Sequence, residues 1–276
     1  MNILIAITAF LENSLILVAL HKECSLYPPT KLLFRCLAIT DLCVGLISSP
    51  VLVVHWIFVV SARWNICRYT FRITIFPGYV LCLVSLFTVT AISVDRLLAL
   101  MLGLTYKHVV TMKQMRVIVT IFWVVSIFGA LVFFWNRLIT LYYSYVALTV
   151  CLVISTFSYT KIFHTLRLHQ IQVKNQDFQE QTRRTIPQRN IARYRRTVNS
   201  VLLLQLALII CYLPYGIADA LKNHIKLSPT VYFARQMTTT LVYFNSSLNP
   251  ILYCWKIREV RQAVKRTVRQ FFCSST

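Results

Sequence analysis

The chain has 276 residues, of which 57 % are hydrophobic and 13 % charged, with a mean hydropathy of +0.64. Soluble domains carry roughly 25 % charged residues, so this one has too little polar surface to cover a water-soluble globule. That excludes a soluble enzyme, a disordered protein and a disulfide-stapled secreted module. The formal charge is +21, from 29 Lys+Arg against 8 Asp+Glu. These cations lie between apolar runs, which reads as orientation in a membrane and not as affinity for nucleic acid. The 9 cysteines fall mostly within the apolar runs and form no C-x-x-C pair, which argues against a metal or redox centre.

Seven apolar runs are predicted, at about 1–20, 32–60, 71–102, 115–135, 139–166, 198–221 and 231–255. Each approaches or exceeds the roughly 20 residues that a helix needs to cross a bilayer, and in lipid only a helix satisfies its own backbone. The first run is short. It has neither a basic leader nor an A-x-A site, so it is expected to be a span and not a removable signal. The long polar stretch at 167–197 is predicted to be a loop with helical extensions at both ends. After the seventh run, Lys256, Arg258, Arg261, Lys265, Arg266 and Arg269 alternate with Ile257, Val260, Val264, Val268, Phe271 and Phe272. That pattern predicts an amphipathic helix on an anionic leaflet. Cys273 is a palmitoylation candidate there, and an unmodified thiol fits equally well. The expected organisation is a membrane bundle at 1–255 followed by this helix and tail at 256–276.

Of the 29 Lys and Arg residues, 22 fall on one set of connections and 7 on the other. The richer side is expected in the cytoplasm, with the N-terminus outside and the C-terminus inside. The plasma membrane is the default address, because no retention signal ends the chain.

Polar residues within the runs are the candidate functional groups. Asp41 lies ten residues inward of Lys31 and Ser85 eleven inward of Arg96, which places them about 15 and 16 Å deep at the helical rise of about 1.5 Å. Asn13 and Asn249 lie nine and seven residues inward of Lys22 and Lys256, about 13 and 10 Å by the same rise. If their helices pack together, the four groups satisfy one another or hold a small cation; ordinary interhelical hydrogen bonding also accommodates them. Asp95 and Arg96 end the third run. Pro214 and Pro250 interrupt the sixth and seventh and predict hinges or static kinks.

Taken together these residues resemble the rhodopsin-like (class A) G-protein-coupled receptors. Asn13, the string Leu37-Ala38-Ile39-Thr40-Asp41, Asp95-Arg96-Leu97 (D-R-Y with Leu for Tyr), Trp123, Tyr159, Cys211-Tyr212-Leu213-Pro214 (C-W-x-P with Tyr for Trp) and Asn249-Pro250-Ile251-Leu252-Tyr253 occur in the family's order. The 255–262 segment is similar to the eighth helix of adenosine receptors. The very short connection near 136–140 is similar to that of melanocortin receptors. Cys151 stands where run five would carry a proline, and Cys67 has no evident partner.

The resemblance implies an all-α bundle of seven transmembrane helices with a short amphipathic eighth. It implies a sodium pocket of Asp41, Ser85, Asn245 and Asn249, with Na+ as an allosteric ion and no other cofactor. Activation and coupling would use Asp95, Arg96, Leu104, Tyr159 and Tyr253. The ligand pocket is expected around Tyr79, Cys82, Tyr212, Tyr215, Asp219 and Tyr243. Gly78 replaces the aspartate of amine receptors, and Val51, Phe71 and Ile75 replace the melanocortin acidic cluster. Asp219 is the only acid expected near the outer half; it would meet a cationic or hydrogen-bonding ligand or pair with Lys222. Tyr194, flanked by Arg193 and Arg195, stands where the family often places an acid on helix six, an absence that implies raised basal signalling. The expected function is to pass binding of an extracellular ligand (nucleoside-like, lipid or small peptide) to a heterotrimeric G protein. The competing class is a cation- or proton-coupled transporter that uses Asp41, which would show inverted repeats and broken helices. No nucleotide-binding, hydrolase or metalloprotease motif occurs, so no enzyme is expected.

Overall fold

A computed structural model describes residues 1–22, 26–61, 63–179, 206–219, 229–256 and 258–273. Helix α1 runs from Asn2 to Lys22. It is apolar nearly all round, so only spacing separates its faces. Ile5, Ala9, Asn13, Ile16 and Leu20 recur every three or four residues and are buried, while Ile3, Leu4, Ile7 and Leu11 are exposed. A helix that is apolar on its exposed side is solvated by lipid and not by water.

Helix α2 runs from Pro28 to Val60. Two prolines open it, where a missing N–H costs nothing. Its turn at Val44–Ser48 is a π turn, just ahead of Pro50 at the start of Ser49–Val60. A proline removes one hydrogen bond and crowds the carbonyl four residues back, and the widened turn absorbs that clash.

Helix α3 runs from Trp64 to Leu102 and holds Pro77 in its interior. Its 39 residues make about 58 Å at the helical rise. It packs on α2 and on both following helices, which makes it the axis of the bundle. Gly103 ends it at φ 52, a left-handed conformation that glycine adopts without strain. A 3-10 turn, Gly103–Thr105, and a helical turn, Tyr106–Val109, follow.

Helix α4, Met112–Trp135, starts with a capping box in which Thr111 Oγ1 accepts from Gln114 N and Gln114 Oε1 accepts from Thr111 N. Its buried residues are Met115, Ser126, Gly129 and Ala130; Val117, Ile121, Val124, Phe128 and Leu131 are exposed. It is a peripheral helix that meets the bundle through small side chains. Helix α5 runs from Arg137 to Gln179. The outer connection expected at 136–140 is therefore the single residue Asn136, whose Oδ1 accepts from Leu138 N at 2.9 Å and Ile139 N at 3.3 Å. The residue whose backbone N–H closes one helix on Val132 O caps the next with its side chain, so no loop is needed. At its other end α5 extends thirteen residues past the predicted 166. This is the expected helical extension of the polar stretch.

Helix α6 is described over Leu206–Asp219. Helix α7, Pro229–Lys256, contains Pro250, and α8 is Arg258–Cys273. Val260, Ala263 and Thr267 of α8 are buried, and the helix packs on α1 and α7, so the bundle takes up part of its apolar face. Contacts of α1 with both α2 and α7 close the ring. Lys174, Arg193, Tyr194, Arg195 and Lys222 have side chains outside the described residues.

Candidate functional site

Three polar constellations lie along the bundle. The middle one centres on Asp41 of α2, which is fully buried. Asn249 of α7 donates from Nδ2 to Asp41 Oδ2 at 2.8 Å, and Ser85 of α3 donates to Oδ1 at 3.4 Å. Ser246 of α7 is a further hydroxyl partner of the carboxylate. Asn13 belongs to the same layer through the backbone, donating to Ala9 O at 2.8 Å and Ser246 O at 3.1 Å. Thr8 and Ser247 add a 2.9 Å hydroxyl contact between α1 and α7. Four helices thus meet around one carboxylate. Asn245 differs from its expected place: no bond to Asp41 forms, and its buried Oδ1 has no hydrogen-bond partner among the described residues. Residues 245 and 246 project about 100° apart on a helix, and α7 turns Ser246 toward Asp41.

The inner constellation sits at the end of α3. Arg96 Nη2 is 2.6 Å from Asp95 Oδ2, and its Nε is 3.2 Å from the same oxygen. Neighbours on a helix do not face each other well, but here the long guanidinium stem folds back. Thr30 of α2 donates to Asp95 Oδ2 at 3.0 Å and accepts from Arg96 Nη2 at 2.9 Å. Tyr106, on the turn after α3, donates to Asp95 Oδ1 at 2.5 Å. Tyr27 stacks edge-on against Tyr106 and donates to the carbonyls of Lys107 and Val110. The second inner connection is thereby fastened to the end of α3, with Leu104 projecting from it at 97 % exposure. Less than one turn deeper, the hydroxyls of Ser93 on α3 and Tyr159 on α5 are hydrogen-bonded and buried. Tyr253 lies on α7, with its side chain outside those described, as is that of Cys273.

The outer constellation is a cavity of about 180 Å³ between α2, α3, α5, α6 and α7. Tyr79, Cys82, Tyr212, Tyr215, Asp219 and Tyr243 all line it. Tyr212 donates to Cys82 O at 3.4 Å at its inner end. At Gly78 the Tyr243 hydroxyl occupies the space that a Cβ would need, so the residue that removes the amine-binding acid also admits the tyrosine. Asp219 does not stand free: Arg235 Nε of α7 donates to Asp219 Oδ1 at 2.7 Å, while Lys222, its other expected partner, lies outside the described residues. Cys67 carries a free thiol 3.8 Å from His55 Nδ1.

The chain matches the profile described as 7 transmembrane receptor (rhodopsin family) over residues 12–253. It belongs to the rhodopsin family of seven-transmembrane receptors. Adenosine receptor A2a of Canis lupus familiaris is 24 % identical over 300 residues, spanning 96 % of this chain and 70 % of its own length. Probable G-protein coupled receptor 45 of Homo sapiens is 23 % identical, over 98 % of this chain and 81 % of its own. Melanocortin receptor 5 of Rattus norvegicus is also 23 % identical, over 96 % and 82 %. The protein is therefore a class A, multi-pass membrane receptor with a seven-helix bundle. Its relatives are receptors and not enzymes.

Four participants escape the motif reading of the receptor. Thr30 and Tyr106 carry no motif, and only the fold brings them to Asp95. Arg235 counts as one outer cation among several until α7 is placed beside α6. Glu12 of α1 carries no motif either; its Oε2 is buried and has no hydrogen-bond partner among the described residues.

Proposed function

We propose that the receptor passes occupation of its outer cavity to a heterotrimeric G protein at its inner face, in the plasma membrane, with the N-terminus outside. The observation that supports this most directly is the stacking of the three constellations on shared helices. Arg235 and Asn249 on α7 tie the outer layer to the middle one, and Ser85 and Arg96 on α3 tie the middle layer to the inner one, with Asp219 of α6 joined to Arg235. A ligand that changes how α6 and α7 sit changes the donors around Asp41, and with them the ends that frame Arg96. Activation is then a population shift: ligand favours one arrangement from outside and the G protein favours the same one from inside.

The middle layer suits a small hard cation. Such ions take oxygen ligands, and the Asp41 carboxylate with the Ser85 and Ser246 hydroxyls supplies them. Na+ held there would supply the counter-charge that a buried carboxylate otherwise lacks. Leu104 and Arg96 are the residues proposed to meet the G protein, and Cys273 and the cations of α8 the inner leaflet.

The test needs no ligand. Membranes carrying the receptor at increasing density are expected to accelerate guanine-nucleotide exchange on at least one Gα class in proportion to density. Arg96→Ala is expected to abolish the increase at equal surface expression. Exchange that stays flat across all Gα classes, or is equal in Arg96→Ala, overturns the reading. Ion flux that depends on Asp41 but needs no G protein would replace it with transport.

A further inference from the structure

We propose that the outer cavity takes a small organic carboxylate on an aromatic or aliphatic body, and that Arg235 and Arg137 bind its anionic end. The inference rests on that cavity being the ligand site. It begins with charge. Among the described residues that line the cavity, the only acid is Asp219, against the two guanidinium groups of Arg137 and Arg235. The lining therefore carries a surplus positive charge, most of it on the buried Arg235, where an unpaired charge weighs heavily in selection.

Asp219 is not available to a cation. Its carboxylate is bound to Arg235 at 2.7 Å, and the two side chains are only 12 % and 10 % exposed. Arg235 is held from two more sides, by the Tyr215 hydroxyl and by the ring of Phe71 at 5.9 Å. A cationic ligand would have to displace a tethered guanidinium that is already well seated. An anion need not. A guanidinium has five donors in a planar fork, and Asp219 and Tyr215 do not exhaust them. The edge that remains suits a carboxylate, which binds a fork through both oxygens. Arg137, the first residue of α5, is exposed and has no carboxylate partner among the described residues. It lines the same cavity and offers a second cation.

The body of the ligand follows from the remaining lining. Phe71, Phe133, Tyr145, Leu86 and Leu148 present apolar and aromatic surface. The space of about 180 Å³ is close to that of engineered apolar cavities of about 150 Å³ that admit benzene. One ring with one carboxylate matches both the size and the charge. Such a ligand shares Arg235 with Asp219, and its like charge weakens the one described ion pair between α6 and α7.

Benzoate, benzyl alcohol and benzamidine share a ring and differ in charge, so they are the probes. Each is titrated against the purified receptor in nanodiscs, with the thermal unfolding midpoint as the readout. Benzoate is expected to raise the midpoint at concentrations about tenfold lower than the other two, as for a charge-assisted bond gained. Asp219→Asn removes the competitor for Arg235 and is expected to increase benzoate affinity about tenfold, a gain that loss of a merely structural contact would not give. Arg137→Gln, at an exposed position that tolerates change, is expected to weaken benzoate about tenfold and decides the matter if Asp219→Asn fails to fold. The proposal is overturned if benzamidine is preferred and loses its effect in Asp219→Asn, if benzoate leaves the folded receptor unmoved, or if Arg137→Gln binds benzoate as well as the parent. Binding is read without a G protein. Benzoate that binds as expected yet never alters nucleotide exchange would therefore count against the signalling reading and leave the anion site standing.

Discussion

The receptor carries two described Asp–Arg pairs of nearly equal length, one at each end of the bundle, and they are built for opposite purposes. At the inner end Asp95 and Arg96 are neighbours on α3, 2.6 Å apart, with side-chain exposures of 1 % and 32 %. At the outer end Asp219 and Arg235 join two helices at 2.7 Å, and both are about nine-tenths buried. Were Arg96 to swing away, as proposed for signalling, Asp95 would keep the hydroxyls of Thr30 and Tyr106, so the carboxylate would not be left without donors and no helix would have to move first. When Arg235 leaves Asp219, either a helix shifts or another anion takes the place of the carboxylate. Identical chemistry thus makes a release at one end and a tie at the other. Burial and the count of spare donors decide which.

The largest effect is expected at the tie. Arg235→Met leaves Asp219 buried without its cation, which costs about 3–5 kcal/mol. The drop should appear as a lower unfolding midpoint in detergent. Adding Asp219→Leu to the same chain should recover most of the loss, because a well-packed apolar pair replaces a buried ion pair at little cost. Equal stability of Arg235→Met and the parent would show that the outer pair ties nothing.

Next comes the release. Arg96→Ala is expected to leave the unfolding midpoint within about 1 kcal/mol of the parent, as for other partly exposed pairs, while nucleotide exchange falls at least tenfold. Measured side by side, the two variants separate stability from signalling. The contrast between the ends fails if Arg96→Ala destabilises as strongly as Arg235→Met.

That contrast also explains how much of the molecule could be read in advance. The inner pair, the Asp41 string and the Asn249-Pro250 turn are contiguous in the chain, so spacing alone placed them on their helices and at their depths. The outer pair is not contiguous. Lys222 is three residues from Asp219 and Arg235 sixteen, and chain proximity favoured Lys222; only the packing of α7 on α6 brings Arg235 to Asp219. Rotation is equally hidden. Hydropathy locates α7 but does not say whether residue 245 or 246 faces Asp41, since a fraction of a turn decides it. The π turn at Val44–Ser48 and Pro77 within α3 leave apolar periodicity almost unchanged. The connection at 136–140 shrank to one residue because Asn136 does two jobs, a detail of hydrogen bonding that composition cannot show.

A third, smaller effect sharpens the middle layer between the two ends. Asp41→Asn keeps the shape and the bonds to neighbouring amides but removes the charge. It is expected to abolish any dependence of benzoate affinity, or of basal exchange, on Na+ against a K+ control. A sodium effect of unchanged size would place the ion elsewhere and leave Asp41 as a hydrogen-bonding residue.

The smallest effect probes how the release is balanced, and it depends on a sign. Thr30 and Tyr106 both donate to Asp95, but only Thr30 also accepts from Arg96, at 2.9 Å. Thr30→Val takes away both an acceptor of the guanidinium and a donor to the same Asp95 oxygen; the acceptor holds Arg96 directly, so its loss is expected to dominate and to free the guanidinium. Tyr106→Phe takes away a donor that competes with the guanidinium for Asp95, and so tightens the pair; the edge-on packing with Tyr27 survives. A single hydrogen bond contributes about 0.5–1.5 kcal/mol net, so basal nucleotide exchange is expected to rise about threefold in Thr30→Val and to fall or hold steady in Tyr106→Phe. Measuring both in one membrane preparation removes differences in expression. Changes in the same direction would mean that the two hydroxyls merely anchor the inner connection, and that the freedom of Arg96 is set by something other than its bonds at the end of α3.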